Sequence, residues 1–431
     1  MSSATPRGRA GLAALLLSAA AAAFAAPQAQ RQQGEDFDAL CGALDEGYVY
    51  FEMDHAAWKR ACEKWRPRAV AAANTSEFVA ALEGLVEELH DDNVTLSERS
   101  NLSRHLPWDT DMYAVWRNGV AYIDSVRAFG DADVAGLRPG AVVLRVDDLP
   151  IEQIMRTRLG PGTPSRRAQS WALRHTLAGP MSGVVSITVR DGDQVRTLRL
   201  ERSEPRARIG RPVYARRMGD QRDIGYLRVR IGVDDAKLPG QFDVALDQLM
   251  DTRALILDLR DHPGPGVPEV TRAILSRFAS TEAQWQLREP REGPRVFDTI
   301  GPRGRLYKGT LIVLVDRWTA AEGEAVATGL TAVANAHVVG TRMTGLRGVL
   351  REVRLPNSHI AASFPVERVF TVSGERREAY VPEVLVDLAA PQGGPGDPIL
   401  YQGLKFLEPC PGPSCRNAPG SPPPARGSPR R

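Results

Sequence analysis

Residues 311–330, LIVLVDRWTAAEGEAVATGL, bring together the groups best placed for acyl-transfer chemistry. Leu311 to Val315 reads as a strand and Asp316 to Trp318 as a tight turn. Thr319, with Glu322 three residues later, reads as the capping-box start of a helix. Residue 321 then falls in the first helical turn, where unpaired backbone N–H groups and the positive end of the helix dipole gather. That is a good place to hold an oxyanion, and a hydroxyl there would be a nucleophile facing its own charge stabiliser. The residue is Ala321, whose methyl has no lone pair and no proton to give up. Three neighbours could substitute: Thr319 carries a hydroxyl, and His262 and Glu324 could approach from a neighbouring loop and from the helix. Each also has a plainer reading, Thr319 as an N-cap, His262 as a loop residue at the rim and Glu324 as a helix-surface or supporting group. No cysteine lies in this part of the chain.

The elements that must position these residues alternate. IGYLRVRIG reads as a strand, Gly240 to Met250 as a helix, ALILDLRDH as a buried strand and Pro268 to Phe278 as a helix. LIVLVDRW is another buried strand, followed by a helix to Ala334 and a strand at HVVGTR. Two further strands are expected around Val353 to Leu355 and from Phe364 to Val372. Alternation of this kind implies a largely parallel sheet covered on both faces. Upstream, Phe37, Leu40 and Leu44 mark one helical stripe and Phe78, Leu82, Leu85, Val86 and Leu89 another, with Asn74 and Glu77 as a start signal. Beyond Pro107 come short alternating runs, MYAVWR, GVAYIDSV, AVVLRVDD, VVSITVRDG and VRTLRLER. They imply a β-rich module in which VAGLRPGAVV supplies a short helix before a strand. The expected domains are 35–100 (helical), 106–204 (β-rich) and 206–405 (α/β), with a Pro/Gly/Ser/Arg-rich tail at 406–431.

The chain ends and the composition narrow the setting. Basic Arg7 and Arg9, an apolar run from Ala10 to about Phe24 and the small-x-small Ala23-Phe24-Ala25 read as a signal peptide over 1–26, an uncleaved anchor being the alternative. This predicts an exported protein, periplasmic or secreted. Four cysteines permit two local bridges, Cys41 with Cys62 and Cys410 with Cys415, or free buried thiols and an unpaired tail. The seven histidines are scattered and no Cys/His spacing suits a metal, so neither metal nor cofactor is expected. A net charge of +3 is too small and too evenly spread to imply nucleic acid.

With these residues in view, the chain resembles the C-terminal processing (tail-specific) peptidases and the related tricorn-core serine proteases. The likeness rests on VAGLRPGAVVLRVDDLPI, ALILDLRDHPGPG, LIVLVDRWTAAEGE and REAYVPEVLVDL, in that order. It implies a sandwich-type, protease-like α/β core with an N-terminal helical part and a PDZ-like β-rich domain. It also implies a nucleophilic serine two residues after Thr319, where Ala321 stands, and in the tricorn-like branch a histidine base where LHDDNVTL places Asn93. An amide cannot take that proton at neutral pH. The processing-peptidase branch uses a downstream lysine; here only Arg347 is available, and guanidinium stays charged. Where relatives carry two adjacent glycines for the oxyanion, this chain has Gly264, which keeps an N–H, and Pro265, which has none. Glu375 and Glu378 are the candidates for the late acidic member of the tricorn set. The resemblance thus implies a degenerate serine peptidase that binds peptides or chain ends, the alternative being an active endopeptidase with another nucleophile. A PDZ-like module would capture a chain end by strand addition, with Phe129 and Gly130 as candidates for the carboxylate nest, or serve only as a lid.

Overall fold

The computed structural model describes residues 11–408 except 52–54, 161, 163, 203–210, 230–236, 263–265 and 391–395, with side chains from residue 28 onward. Three helices come first, α1 (Gly11–Gly47), α2 (His55–Val70) and α3 (Thr75–Glu87), then the short strand β1 (Thr95–Leu96). The two apolar stripes meet as their spacing requires, Phe37, Leu40 and Leu44 packing with Phe78, Leu82, Leu85 and Trp58. A Cys41–Cys62 disulfide ties α1 to α2. Helix α3 starts at the expected signal: the Asn74 side chain accepts from the Glu77 N–H at 3.0 Å, and the Glu77 carboxylate accepts from Ala73 N–H at 2.9 Å. Cys410 and Cys415 lie outside the described residues.

The β-rich module contains β2 (Met112–Arg117), β3 (Val120–Val126), α4 (Asp131–Val134), β4 (Val142–Val146) and β5 (Leu149–Pro150). After these come α5 (Ile151–Leu159), α6 (Arg166–Ala178), β6 (Gly183–Asp191) and β7 (Gln194–Arg202). Its sheet runs β2-β3-β4-β6-β7, with β5 on β4. Helices α5 and α6 were not expected in a module read as β-rich. They bury Ile151, Met155, Trp171 and Leu173 against Ile123, Val143 and Ile187 of the sheet. Their signal was nevertheless present: Ala168, Trp171, Ala172 and His175 are buried at helical spacing, and the Ser165 side chain accepts the Ala168 N–H at 3.1 Å.

The core follows as β8 (Val213–Met218), β9 (Ile224–Val229), α7 (Leu238–Asp247), β10 (Ala254–Asp258) and α8 (Pro268–Ser276). Next are β11 (Ala283–Pro290), β12 (Val296–Ile300), β13 (Thr310–Val315), α9 (Glu322–Ala334) and β14 (His337–Gly340). Last come β15 (Val349–Arg354), β16 (Ala361–Phe370), β17 (Val384–Leu385) and α10 (Pro398–Phe406). Six strands make one sheet, β17-β14-β13-β10-β9-β8, parallel throughout except for β8. Alternation explains the unbroken apolar runs. Leu255, Leu257, Leu311 and Val313 face α7, α8 and α9, whereas Ala254, Ile256, Ile312 and Leu314 face α10, so each central strand is buried on both sides. The hairpin β11–β12 and strand β16 form a separate antiparallel arrangement, not extra strands of the parallel sheet.

Two compact units emerge, residues up to 103 with 350–366, and residues 104–349 with 367 onward. The first therefore takes in a segment expected in the α/β domain: Leu355, Ile360, Ala362 and Phe364 join the helical core, and Ser363 and Ala362 pair with β1. Among the described residues no helix is long and apolar enough to cross a membrane.

Candidate active site

Parallel pairing of β10 with β13 in register, Asp258 opposite Leu314, brings their carboxyl ends together. Ligands of open α/β sheets bind at this end of the strands. Asp258 is fully buried there. Burial alone would raise its carboxyl, but Arg260, bonded to it at 2.9 and 2.7 Å, holds it below the usual carboxylate range. After β13 the chain turns on Asp316, whose carboxylate accepts from Trp318 N–H at 2.9 Å and Asp261 N–H at 3.2 Å.

Thr319 is not the helix cap. Its hydroxyl donates to the Leu259 carbonyl at 3.0 Å and accepts from Asp316 N–H at 2.9 Å, and the residue has no exposed surface. The helix starts two residues later than the capping-box pattern indicated, at Glu322, with Ala321 as N-cap. Only half a capping box exists. Ala321 N–H donates to the Glu324 carboxylate at 3.1 Å, and the alanine has no side-chain acceptor to return the bond. Glu324 is not on the helix surface either. It is fully buried and also accepts Gly345 N–H at 2.6 Å and Leu346 N–H at 3.2 Å, tying the start of α9 to loop 344–347. Burial pushes its carboxyl up to about 7, against the opposing pull of Arg377 and the three N–H donors.

Ala321 has φ 45° and ψ −107°, outside the regions an L-residue with a Cβ adopts easily. Conformations of this kind cost about 1–3 kcal/mol and persist where their surroundings impose them. A sharp strand-to-helix turn of this sort is how a nucleophile elbow thrusts one side chain forward. Here the side chain is a half-buried methyl, packed with Ala320, Leu346 and Leu106. Gly323 allows the turn to close, because a Cβ there would lie 3.2 Å from the Thr319 methyl and 3.3 Å from the His262 ring. His262 is buried and its carbonyl accepts Ala320 N–H at 3.1 Å. Thr319 turns its methyl, not its hydroxyl, toward the point that the imidazole also approaches, so the two do not form the nucleophile–base pair weighed above.

The β-rich module braces the same turn, through contacts with no sequence signal. Trp318 donates its indole N–H to the Thr110 carbonyl at 2.8 Å, and Arg317 meets Asp124 at 2.7 Å and lies over the Tyr113 ring. Arg127 pairs with Asp261 at 3.1 Å and covers the Trp318 ring. The Phe129–Gly130 nest is internally satisfied: Phe129 N–H goes to Asp133 at 2.9 Å and Gly130 N–H to the Arg127 carbonyl at 3.1 Å. Ala321, Glu324, Thr319 and His262 are thus brought together. Asn93 lies in the other compact unit, buried, with its N–H on the Asp91 carboxylate at 3.0 Å. Gly264 and Pro265 are outside the described residues. Of the late glutamates, Glu378 lies in the same short segment as Arg377, which faces Glu324.

Comparison with known proteins agrees with this architecture. Residues 223–387 match the model of peptidase family S41, and residues 27–86 that of the tricorn protease C1 domain. Among solved structures, the chain is similar to the photosystem II D1 C-terminal processing protease. That match has 18% identity, 83% of this chain and 94% of that one covered, and a TM-score of 0.54. Mature CPAF complexed with lactacystin is also similar, at 15% identity, 88% and 97% coverage and a TM-score of 0.57. At such identities the likeness establishes the shared fold. No curated protein matches in sequence. Residues 223–387 of the chain therefore match peptidase family S41, within a fold shared with these processing proteases.

Proposed function

We propose that this is an exported S41-type protein that has lost peptidase chemistry and binds peptides or unfolded chain ends. The observation that carries the reading is Ala321: the strained turn of a nucleophile elbow is kept, and the side chain it presents is a methyl among Leu106 and Leu346. The hydroxyl nearest in sequence, on Thr319, is already used in two backbone hydrogen bonds, which argues against an alternative nucleophile. Export is supported by the basic, apolar and small-residue pattern of residues 1–26, and the Cys41–Cys62 bridge accords with an oxidising compartment. The partner class is peptide, laid across the half-exposed turn at 321. A fluorescein-labelled unstructured peptide should show saturable polarisation, remain intact by mass spectrometry, and lose at least tenfold in affinity in Leu106→Glu. Cleavage of the peptide, or no saturable binding, would contradict the reading.

A further inference from the structure

Among the described residues the two most exposed large apolar side chains are Phe129, at 94%, and Val134, at 81%. Single apolar residues on a surface are ordinary, but these two share the short segment between β3 and the end of α4. Phe129 also has φ 63°, a region that a bulky residue adopts only where its surroundings impose it. Here they do. Its N–H donates to the Asp133 carboxylate at 2.9 Å, and Asp133 is held in turn by Arg138 at 2.7 Å. Gly130 N–H donates to the Arg127 carbonyl at 3.1 Å, and Val134 N–H to the Gly130 carbonyl at 2.9 Å. Behind them the Asp111 carboxylate accepts from Ala132 N–H, and a Cβ on Gly130 would lie 2.6 Å from the Asp111 side chain. The loop is thus pinned by its own polar groups, and it holds an aromatic ring in solvent.

Chain continuity ties this ring to the turn that carries Ala321. Arg127, two residues before Phe129, pairs with Asp261 and covers the Trp318 ring at 4.9 Å, and Trp318 stands three residues before Ala321. An extended peptide of about five to ten residues, at about 3.3 Å each, covers a path of that length. We infer that Phe129, with Val134, is a second anchor for the peptide laid across the 321 turn, and that it selects an apolar side chain in that peptide. The inference rests on the peptide-binding reading above and adds the class of guest: an extended chain with two apolar residues several positions apart. The first anchor is the apolar surface of Ala321, Leu106 and Leu346. A ring already fixed in place gives up little freedom when it is covered, so its burial goes into affinity. Once one apolar residue of the guest is seated, the second contact is intramolecular, and the two reinforce each other.

The test uses the full chain and fluoresceinated Gly/Ser peptides that carry either one leucine or two, the pair separated by four, six or eight residues. At its best spacing the two-leucine peptide should bind, by fluorescence polarisation, at least tenfold more tightly than the one-leucine peptide. Phe129→Asn, which suits a positive φ and removes the ring, should erase that difference and leave the one-leucine peptide within twofold. Phe129→Tyr should keep the difference. Val244→Ser, at a 64% exposed apolar position on α7, should change neither peptide. Equal binding of the two peptides, or equal weakening of both by Phe129→Asn, would overturn the inference and leave the peptide-binding reading standing. Loss of the difference in Val244→Ser would also overturn it, by showing that the second leucine binds without regard to site. No saturable binding of either peptide would overturn both.

Discussion

At φ 45° and ψ −107°, Ala321 carries a conformational cost that its small methyl, packed with Ala320, Leu346 and Leu106, offsets only in part. Adding a β-branch there should make matters worse, so Ala321→Val is predicted to lower unfolding free energy by about 2–3 kcal/mol. Ala321→Gly relieves the strain but loses a methyl contact and loosens the unfolded chain, terms of about 0.5–1 kcal/mol each, so it should stay within about 1 kcal/mol of the parent. Denaturant melts decide this, and equal effects of the two substitutions would mean the turn is not strained. Glu324 makes a second prediction at this scale. Burial raises its folded pKa to about 7 from 4.5, so between those values the folded protein holds a proton that the unfolded chain has released. Its contribution is fully present below pH 4.5 and is lost as pH rises through about 7, at up to about 1.4 kcal/mol per pH unit. Glu324→Gln cannot titrate and should flatten that slope. It should also cost about 1–3 kcal/mol, by leaving N–H groups of Ala321, Gly345 and Leu346 poorly satisfied. Unfolding midpoints at pH 5, 6 and 7 measure both effects.

Among the elements, the strand–turn–helix at 310–334 was legible in outline because continuous apolar runs and a polar turn leave few alternatives. Its helix boundary was not, because Thr319 and Glu322 have the spacing of a capping box that the folded turn does not use. Tertiary bonding decided the matter: Thr319 pins the end of β10 to the turn, and Ala321 becomes the N-cap with Glu324 beneath it. Thr319→Val, which keeps shape and removes the hydroxyl, should cost about 1–3 kcal/mol by stranding Asp316 N–H and the Leu259 carbonyl. A stability unchanged in thermal melts would remove the pinning role. Asn74 and Glu77, by contrast, act where their spacing placed them, since a local side-chain-to-backbone bond needs no distant partner. Helices α5 and α6 were overlooked between conspicuous strands, although the buried spacing of Ala168, Trp171, Ala172 and His175 was present.

Across the whole molecule, the order of helical part, β-rich module and α/β core could be read from the pattern of apolar periods. The assignment of 350–366 to the helical unit could not, because the partners of Leu355, Ile360 and Phe364 lie about three hundred residues earlier. The bracing of the 321 turn by Arg127, Asp124 and Thr110 was equally invisible, since each is an ordinary residue until folding brings it to Trp318 and Arg317. The sequence does show that residue 321, at the tip of a strained turn, carries no reactive oxygen, and the proposed loss of peptidase chemistry rests on that residue. Intact-mass spectrometry of the purified protein after incubation with a fluorophosphonate tests that claim most directly. No mass gain is predicted for the parent chain, whereas a stoichiometric adduct would show that another hydroxyl attacks and that peptidase chemistry is intact.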